Sequence, residues 1–199
     1  MDKTEKIILN EGFNSVIRNG IRSFTVERLA SSLSMSKKTI YSFFPKKEVL
    51  IKKIIDFRMK KLSLEFREII NNHDDAIIQF IEVRNHHIKF SNKLNLKKLT
   101  YIKARHPQIW DIIEQHRLDR KTIYIEIFKL AESQSYLRNG LEPSICARIF
   151  MNIINSTFQP DFLNNNELEL NETINHLRTI LSYGFFNDKA INKMKKYSG

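Results

Sequence analysis

The sequence predicts an all-α fold. Only five glycines and four prolines interrupt 199 residues, a breaker-poor composition that favours long helices over a turn-rich β fold. Apolar residues recur at i, i+3, i+4 and i+7 through most of the chain, the spacing of a single buried helical face. The few interruptions stand beside capping residues, so that several helices have legible starts and stops. The length allows a substantial core, either in one domain or in a small domain joined to a larger one.

The first helix is expected over residues 3–19, where Ile8, Leu9, Phe13, Val16 and Ile17 form a stripe and Gly20 follows as a C-terminal cap. Thr25 is a good N-cap for a short second helix carrying Val26, Leu29, Ala30 and Leu33 on one face, and Ser34-Met35-Ser36 interrupts it. Ser36 caps a third helix, and Pro45 ends it by disfavouring helical geometry in the residue before it. A long fourth helix is expected from about residue 46 to 71, with Leu50, Ile54, Phe57 and Leu64 among its apolar positions; His73-Asp74-Asp75 marks a break. Further helices are expected near 76–91, 95–105, 107–132, 143–158 and 171–186. Residues 139–140 and 159–166 read as loops, and the basic tail 189–199 reads as a frayed, solvated end.

The formal net charge is +11. Residues 1–72 hold 15 Lys/Arg against 8 Asp/Glu, whereas residues 73–199 hold 18 against 14, which makes the first third the candidate polyanion surface. Cys146 is the only cysteine, which excludes an intramolecular disulfide and a cysteine-based metal site; its apolar helical setting is that of a buried, inert thiol. The N-terminus lacks the apolar stretch and cleavage site of a secretory signal, and no apolar run reaches transmembrane length, so a cytoplasmic protein without a membrane partner is expected.

Residues 24–44 contain two short helices joined by a tight turn, the size of a helix-turn-helix. Ile40 and Phe44, four apart, can pack on the Val26/Leu29/Leu33 face, which leaves Lys37, Lys38, Thr39 and Tyr41 outside. Amines and hydroxyls at those places suit phosphate and base-edge contacts. Thr25, Ala30, Ser36, Thr39, Ile40, Tyr41, Phe44, Lys47 and Leu50 stand in the pattern T-hydrophobic-x-x-I-A, turn, S-x-x-T-hydrophobic-Y-x-x-F-x-x-K-x-x-L. That stretch resembles the TetR (tetracycline-repressor-like) family of transcriptional regulators. The resemblance is specific over residues 5–55 and architectural beyond them.

The resemblance implies an N-terminal three-helix helix-turn-helix domain (1–50), joined by a long helix to a C-terminal helical ligand-binding and dimerisation domain (51–199). It implies a homodimer on near-palindromic double-stranded DNA, acting as a repressor and answering to a small-molecule effector. Carried over residue by residue, Thr25 and Tyr41 correspond to phosphate contacts and Lys47 to a backbone-contacting lysine at the start of helix four. Lys37 and Lys38 correspond to base-edge readers, and Thr39 can touch a base or a phosphate. The sequence departs from the family at Ser34 and Lys38, where glycine is frequent, and at Phe43, where a polar residue is common. Among the bulky residues of the middle helices, Phe80, Phe90, Tyr101, Trp110, Ile113, Tyr124 and Phe128 are candidates to line an effector cavity, although each also suits an ordinary core. His87, Lys103, Arg105 and His116 are candidates to orient a polar or anionic end. Ile149, Ile153, Ile174, Leu177 and Leu181, on the last two long helices, are the candidate dimer interface.

Two other classes compete. A metalloenzyme would draw on His73-Asp74, His86 and His87, with Glu82 and His86 four apart, but no Glu-x-x-His pair recurs as a di-iron bundle needs, so neither catalytic residue, metal nor cofactor is expected. A basic helical protein binding nucleic acid or an anionic surface without sequence preference is the second alternative, and the chain has no aromatic strand platform for single strands.

Overall fold

The computed structural model describes residues 1–197. Among them are twelve α-helices: α1 (Lys3–Asn19), α2 (Val26–Ser32), α3 (Lys37–Phe43), α4 (Lys47–Asn71), α5 (Ala76–Ser91), α6 (Leu96–Arg105), α7 (Pro107–Asp119), α8 (Lys121–Ser133), α9 (Pro143–Thr157), α10 (Pro160–Asn165), α11 (Leu170–Phe185) and α12 (Asp188–Tyr197). No strand forms among the described residues, which carry one isolated antiparallel bridge between Leu137 and Phe186. The fold is all-α.

Three elements depart from the sequence expectation. The single helix expected over 107–132 is two, because Arg120, at ψ −13°, turns the chain tightly enough for its carbonyl to accept from Ile123 N–H (3.1 Å), interrupting the i+4 ladder without a Gly or Pro. The expected loop 159–166 holds α10: Pro160 stands in the first turn, where its missing N–H would have had no helical acceptor, and Leu163 is buried. The tail expected to fray forms α12, which buries Ala190, Ile191 and Met194; Ser198 and Gly199 of that expected tail lie outside the described residues. Leu64, expected on an apolar face, is 63% exposed.

The chain folds into two compact units. The first holds residues 1–63 and 93–116 and thus contains the whole of the expected 1–50 segment; the second holds residues 64–92 and 117–199. The core of the first is built from Ile8, Leu9 and Val16 of α1, Val26 and Leu29 of α2, Ile40 of α3, and Leu50 and Ile54 of α4, all buried. Gly12 permits the α1–α4 approach, because a Cβ there would lie 2.8 Å from Ile54 Cγ1 and closer still to its Cδ1.

The second unit is centred on aromatic rings. Phe80 of α5 lies 5.5 Å from Phe150 of α9 and 4.9 Å from Phe186, while Phe128 of α8 stacks on Phe186 at 5.6 Å and meets Phe185 edge-on at 5.3 Å. Asp75 ties the N-terminus of α5 to α12. Its carboxylate accepts from the N–H groups of Ile77 (3.0 Å) and Ile78 (3.1 Å), from Tyr136 Oη–H (3.0 Å) and from Lys193 Nζ. Burial opposes the Asp75 charge, but Lys193, Ile78 N–H and Tyr136 outweigh it and hold the pKa below the ordinary 3.8.

A carboxylate depressed in the folded state contributes stability that is present above its unfolded pKa and is lost as pH falls through the folded one. Exchange of the α12 amides, corrected for intrinsic rates, is therefore expected to accelerate below about pH 4. Asp75→Ala removes a cap and two side-chain partners, and is expected to cost about 2 kcal/mol and to expose α12 at neutral pH. Unchanged α12 protection in that variant would refute the role given to Asp75.

Candidate nucleic-acid interface

Two side-chain caps define the α2–α3 pair. Thr25 sits in extended backbone and its Oγ1 accepts from Arg28 N–H at 3.2 Å; Ser36 does the same for Thr39 N–H at 3.0 Å, and the two hydroxyls of Ser36 and Thr39 share a 2.9 Å hydrogen bond. Between the helices the chain closes a Schellman turn: Met35 N–H donates to Ala30 O at 2.9 Å and Ser34 N–H to Ser31 O at 3.1 Å. That geometry puts Ser34 at φ +52°, a conformation usually left to glycine. The turn the sequence assigned to a non-glycine is thus made at a backbone cost.

Packing then decides which side chains face outward. Ile40 is fully buried and Phe44 nearly so, which fixes the rotation of α3 on α2. Ser36, Lys37, Lys38 and Tyr41 are exposed, Thr39 and Thr25 are half-buried, and Lys47 is half-buried in the first turn of α4. Phe43 is 37% exposed. The seven DNA-contact candidates thus lie along α2, α3 and the start of α4, with α3 supplying five of them counting its cap.

Some of the arrangement was not read from the sequence. Lys37 Nζ lies 3.2 Å from Glu27 Oε1 across the two helices, and the Glu27 carboxyl is held below its ordinary value by its own backbone N–H and by Lys37. Both residues are exposed, so the pair contributes little to stability and is readily exchanged. Arg22, Arg28 and Lys46 are also exposed beside this face. Lys98 of α6 is the larger surprise. Its Nζ donates to Ile17 O (2.6 Å) and Arg18 O (2.9 Å), carbonyls of the last turn of α1, and its stem would lie 3.7 Å from a Cβ placed on Gly20, whose φ of +78° ends that helix. A cation on a helix C-terminus is favourable twice over, through the hydrogen bonds and the helix dipole. Nothing in the local pattern around Lys98 announces a partner eighty residues away.

The other candidates are distributed between the units. Tyr101, Trp110 and Ile113 belong to the first, where Trp110 is buried beneath Lys103 Nζ, 5.6 Å from its ring centre; Arg105 is exposed, and His116 Nε2 is bonded to Asp56 at 3.0 Å. Phe80, His87, Phe90, Tyr124 and Phe128 belong to the second, where Phe80, Tyr124 and Phe128 meet around Phe150. Burial, followed by the charges of Arg120 and Arg117, pushes the His87 imidazole down to about 3, so it is neutral at physiological pH. Of the interface candidates, Ile149 is 47% exposed, Ile153, Ile174 and Leu177 are half-buried, and Leu181 is buried within the protomer. Ile180 (63%) and Tyr183 (46%) are the more exposed apolar residues of α11. His86 bonds Glu65 at 2.8 Å, and Glu82 bonds the Tyr197 hydroxyl. Among the described residues no three His, Cys, Asp or Glu side chains converge as a metal site, and no helix is long and apolar enough to cross a membrane.

Residues 8–54 match the family model described as bacterial regulatory proteins, tetR family. That N-terminal segment is of the TetR type. Along nearly its whole length the chain is 21% identical to the HTH-type transcriptional regulator YvaF of Bacillus subtilis, over 186 residues that cover 93% of this chain and 97% of that one. Solved structures of similar fold include a transcriptional regulator from Saccharomonospora viridis in complex with choline (TM-score 0.70, 13% identity, 94% of this chain and 100% of that one). SmeT, the repressor of the Stenotrophomonas maltophilia multidrug efflux pump SmeDEF, is similar at TM-score 0.66 and 16% identity, over 95% and 93% of the two chains. The matched segment is the one that carries the capped α2–α3 pair.

The strained turn of this TetR-family domain yields a direct expectation. Ser34→Gly relieves the left-handed penalty of about 1 kcal/mol, partly offset by glycine's greater unfolded-state entropy, and is expected to raise the midpoint of thermal unfolding by a few degrees. Ser34→Val, with a branched Cβ in the same conformation, is expected to lower it. An unchanged midpoint in both would show that the turn carries no strain.

Proposed function

We propose that the protein is a homodimeric repressor that binds a near-palindromic operator through α2 and α3 and is released by a small-molecule effector. The observation that carries this reading is the outward set of α3: with Ile40 and Phe44 buried, Lys37, Lys38 and Tyr41 are left exposed on a seven-residue helix. In this reading Lys37 and Lys38 meet base edges, Thr25, Ser36 and Tyr41 meet phosphates, Thr39 contacts either, and Lys47 meets the backbone from the start of α4. Lys37 exchanges Glu27 for the DNA.

The dimer is proposed to form through α9 and α11. On α9, Ile145 (55% exposed) and Ile149 (47%) share a face; on α11, Ile180 and Tyr183 flank Gly184, above which a Cβ would meet nothing within 4 Å. Exposed apolar side chains beside a glycine suit close helix pairing. A twofold axis there gives two α3 helices, whose spacing of about 34–36 Å or somewhat more sets the spacing of the half-sites. SmeT is described as a repressor and the S. viridis regulator as a choline complex, and both support a repressor with a small-molecule ligand.

Three measurements test this. In fluorescence titrations, Lys47→Ala is expected to weaken binding to all duplexes alike and to lower the slope of log K against log salt by about 1. Lys38→Ala is expected to cost about 1–3 kcal/mol in discrimination between operator and mismatched duplex. In sedimentation, Ile180→Asp is expected to turn a dimer into a monomer; a wild-type monomer at micromolar concentration contradicts the dimer. Equal affinity for single strands and duplexes would favour the alternative of a non-specific basic protein.

A further inference from the structure

Within the second unit, α5 and α8 pair two faces whose polarity changes in step. On α5, Phe80, Arg84 and His87 follow at i, i+4 and i+7; on α8 and the residue before it, Phe128, Tyr124 and Arg120 follow in the reverse order at i, i−4 and i−8. The pairs match tier by tier. Phe80 and Phe128 meet edge-on at 6.2 Å, Arg84 is within electrostatic reach of Tyr124, and His87 is within reach of Arg120. Phe150 of α9 closes the aromatic end, 5.5 Å from Phe80 and 4.6 Å from Tyr124.

The cationic tiers are unusual for an interior. Arg120 is 6% exposed, and Arg84 has its Nε buried with no hydrogen-bond partner while its Nη2 makes one 3.3 Å bond to the neighbouring Asn85. Glu82, the carboxylate whose field favours the Arg84 charge, is itself bonded to the Tyr197 hydroxyl, and Arg178 adds a second positive charge near Arg84. Arg117 donates to Asn155 O of α9 at 3.1 Å, and burial, followed by the charges of Arg120 and Arg117, keeps the His87 ring neutral. A buried guanidinium that leaves an N–H unsatisfied destabilises the fold, and an apolar residue of equal volume would be the cheaper filling. Such an expense is expected at a binding site.

We propose that this unit binds an organic anion, with its charged end at Arg84 and Arg120 and an apolar body directed to the Phe80, Phe128 and Phe150 rings. This rests on the effector-responsive reading above and adds the ligand's charge. The buried Arg120 guanidinium and the half-buried Arg84 repel a cation, so the ligand chemistry is opposite in sign to that of choline in the S. viridis regulator. A carboxylate and a phosphate ester share the required charge and acceptor oxygens.

The test is titration calorimetry of the full chain with four probes of equal chain length: octanoate, octyl phosphate, octanol and octyltrimethylammonium. At least one anion is expected to bind tenfold or more tightly than the alcohol and the cation, and the better of the two anions identifies the head group. Arg84→Met and Arg84→Gln are expected to abolish that preference, while Arg84→Met leaves the unliganded unfolding midpoint unchanged or higher. A purely structural arginine would instead lower the midpoint and leave anion affinity alone. Tighter binding of the alcohol or the cation, or no binding by any probe, overturns the anion assignment. Release of duplex DNA by one of the uncharged or cationic probes would show the effector reading surviving that failure.

Discussion

Burial of Ile40 and Phe44 against α2 is the contact on which the DNA-facing surface depends. A seven-residue helix is far too short to persist alone in water, so α3 exists only because those two side chains anchor it and Ser36 caps it. The same anchoring fixes its rotation, and rotation alone decides that lysines 37 and 38 face outward. The constraint propagates backward through α2 to α1, whose Gly12 lets Ile54 of α4 approach, and from the end of α1 to α6 through Lys98. Local geometry at Ser34 is forced to follow: the Schellman turn needs a left-handed residue, and the chain supplies a serine.

The two units use polar groups differently. In the first, charged side chains sit near the surface or complete helix ends, as Lys98 does at α1. The second keeps Arg120 inside and Arg84 half-buried, next to a cluster of phenylalanines. Such an interior sacrifices stability for a charge in a defined place, and a regulator that must distinguish ligand-bound from free states needs a difference of only ~1–3 kcal/mol between them to change DNA affinity about 5- to 150-fold.

Much of the N-terminal architecture was legible because its signals are local. Thr25 and Ser36 as caps, Gly20 as a stop and the Ile40/Phe44 spacing are each written within a few residues of the structure they determine, and each stands where the sequence placed it. What escaped the sequence depends on distant partners. The segment that begins at residue 189 looks like a solvated basic tail until Asp75 and Tyr136 are brought to Lys193, and the split at Arg120 involves no helix breaker. Leu181 was read as interface from its place on the α11 stripe, whereas burial inside the protomer leaves Ile180 and Tyr183 more exposed. A stripe reveals which residues are apolar together; it does not reveal which of two neighbouring surfaces each one meets.

The central claim, that duplex DNA is read by the α2–α3 face, is tested most directly by mapping amide chemical-shift changes on titration with an operator-length duplex. The account predicts perturbations concentrated in residues 25–48, strongest over residues 36–41, with single strands of the same sequence producing much smaller ones. Perturbations confined to the helices beyond residue 64, or equal for duplex and single strands, would contradict it.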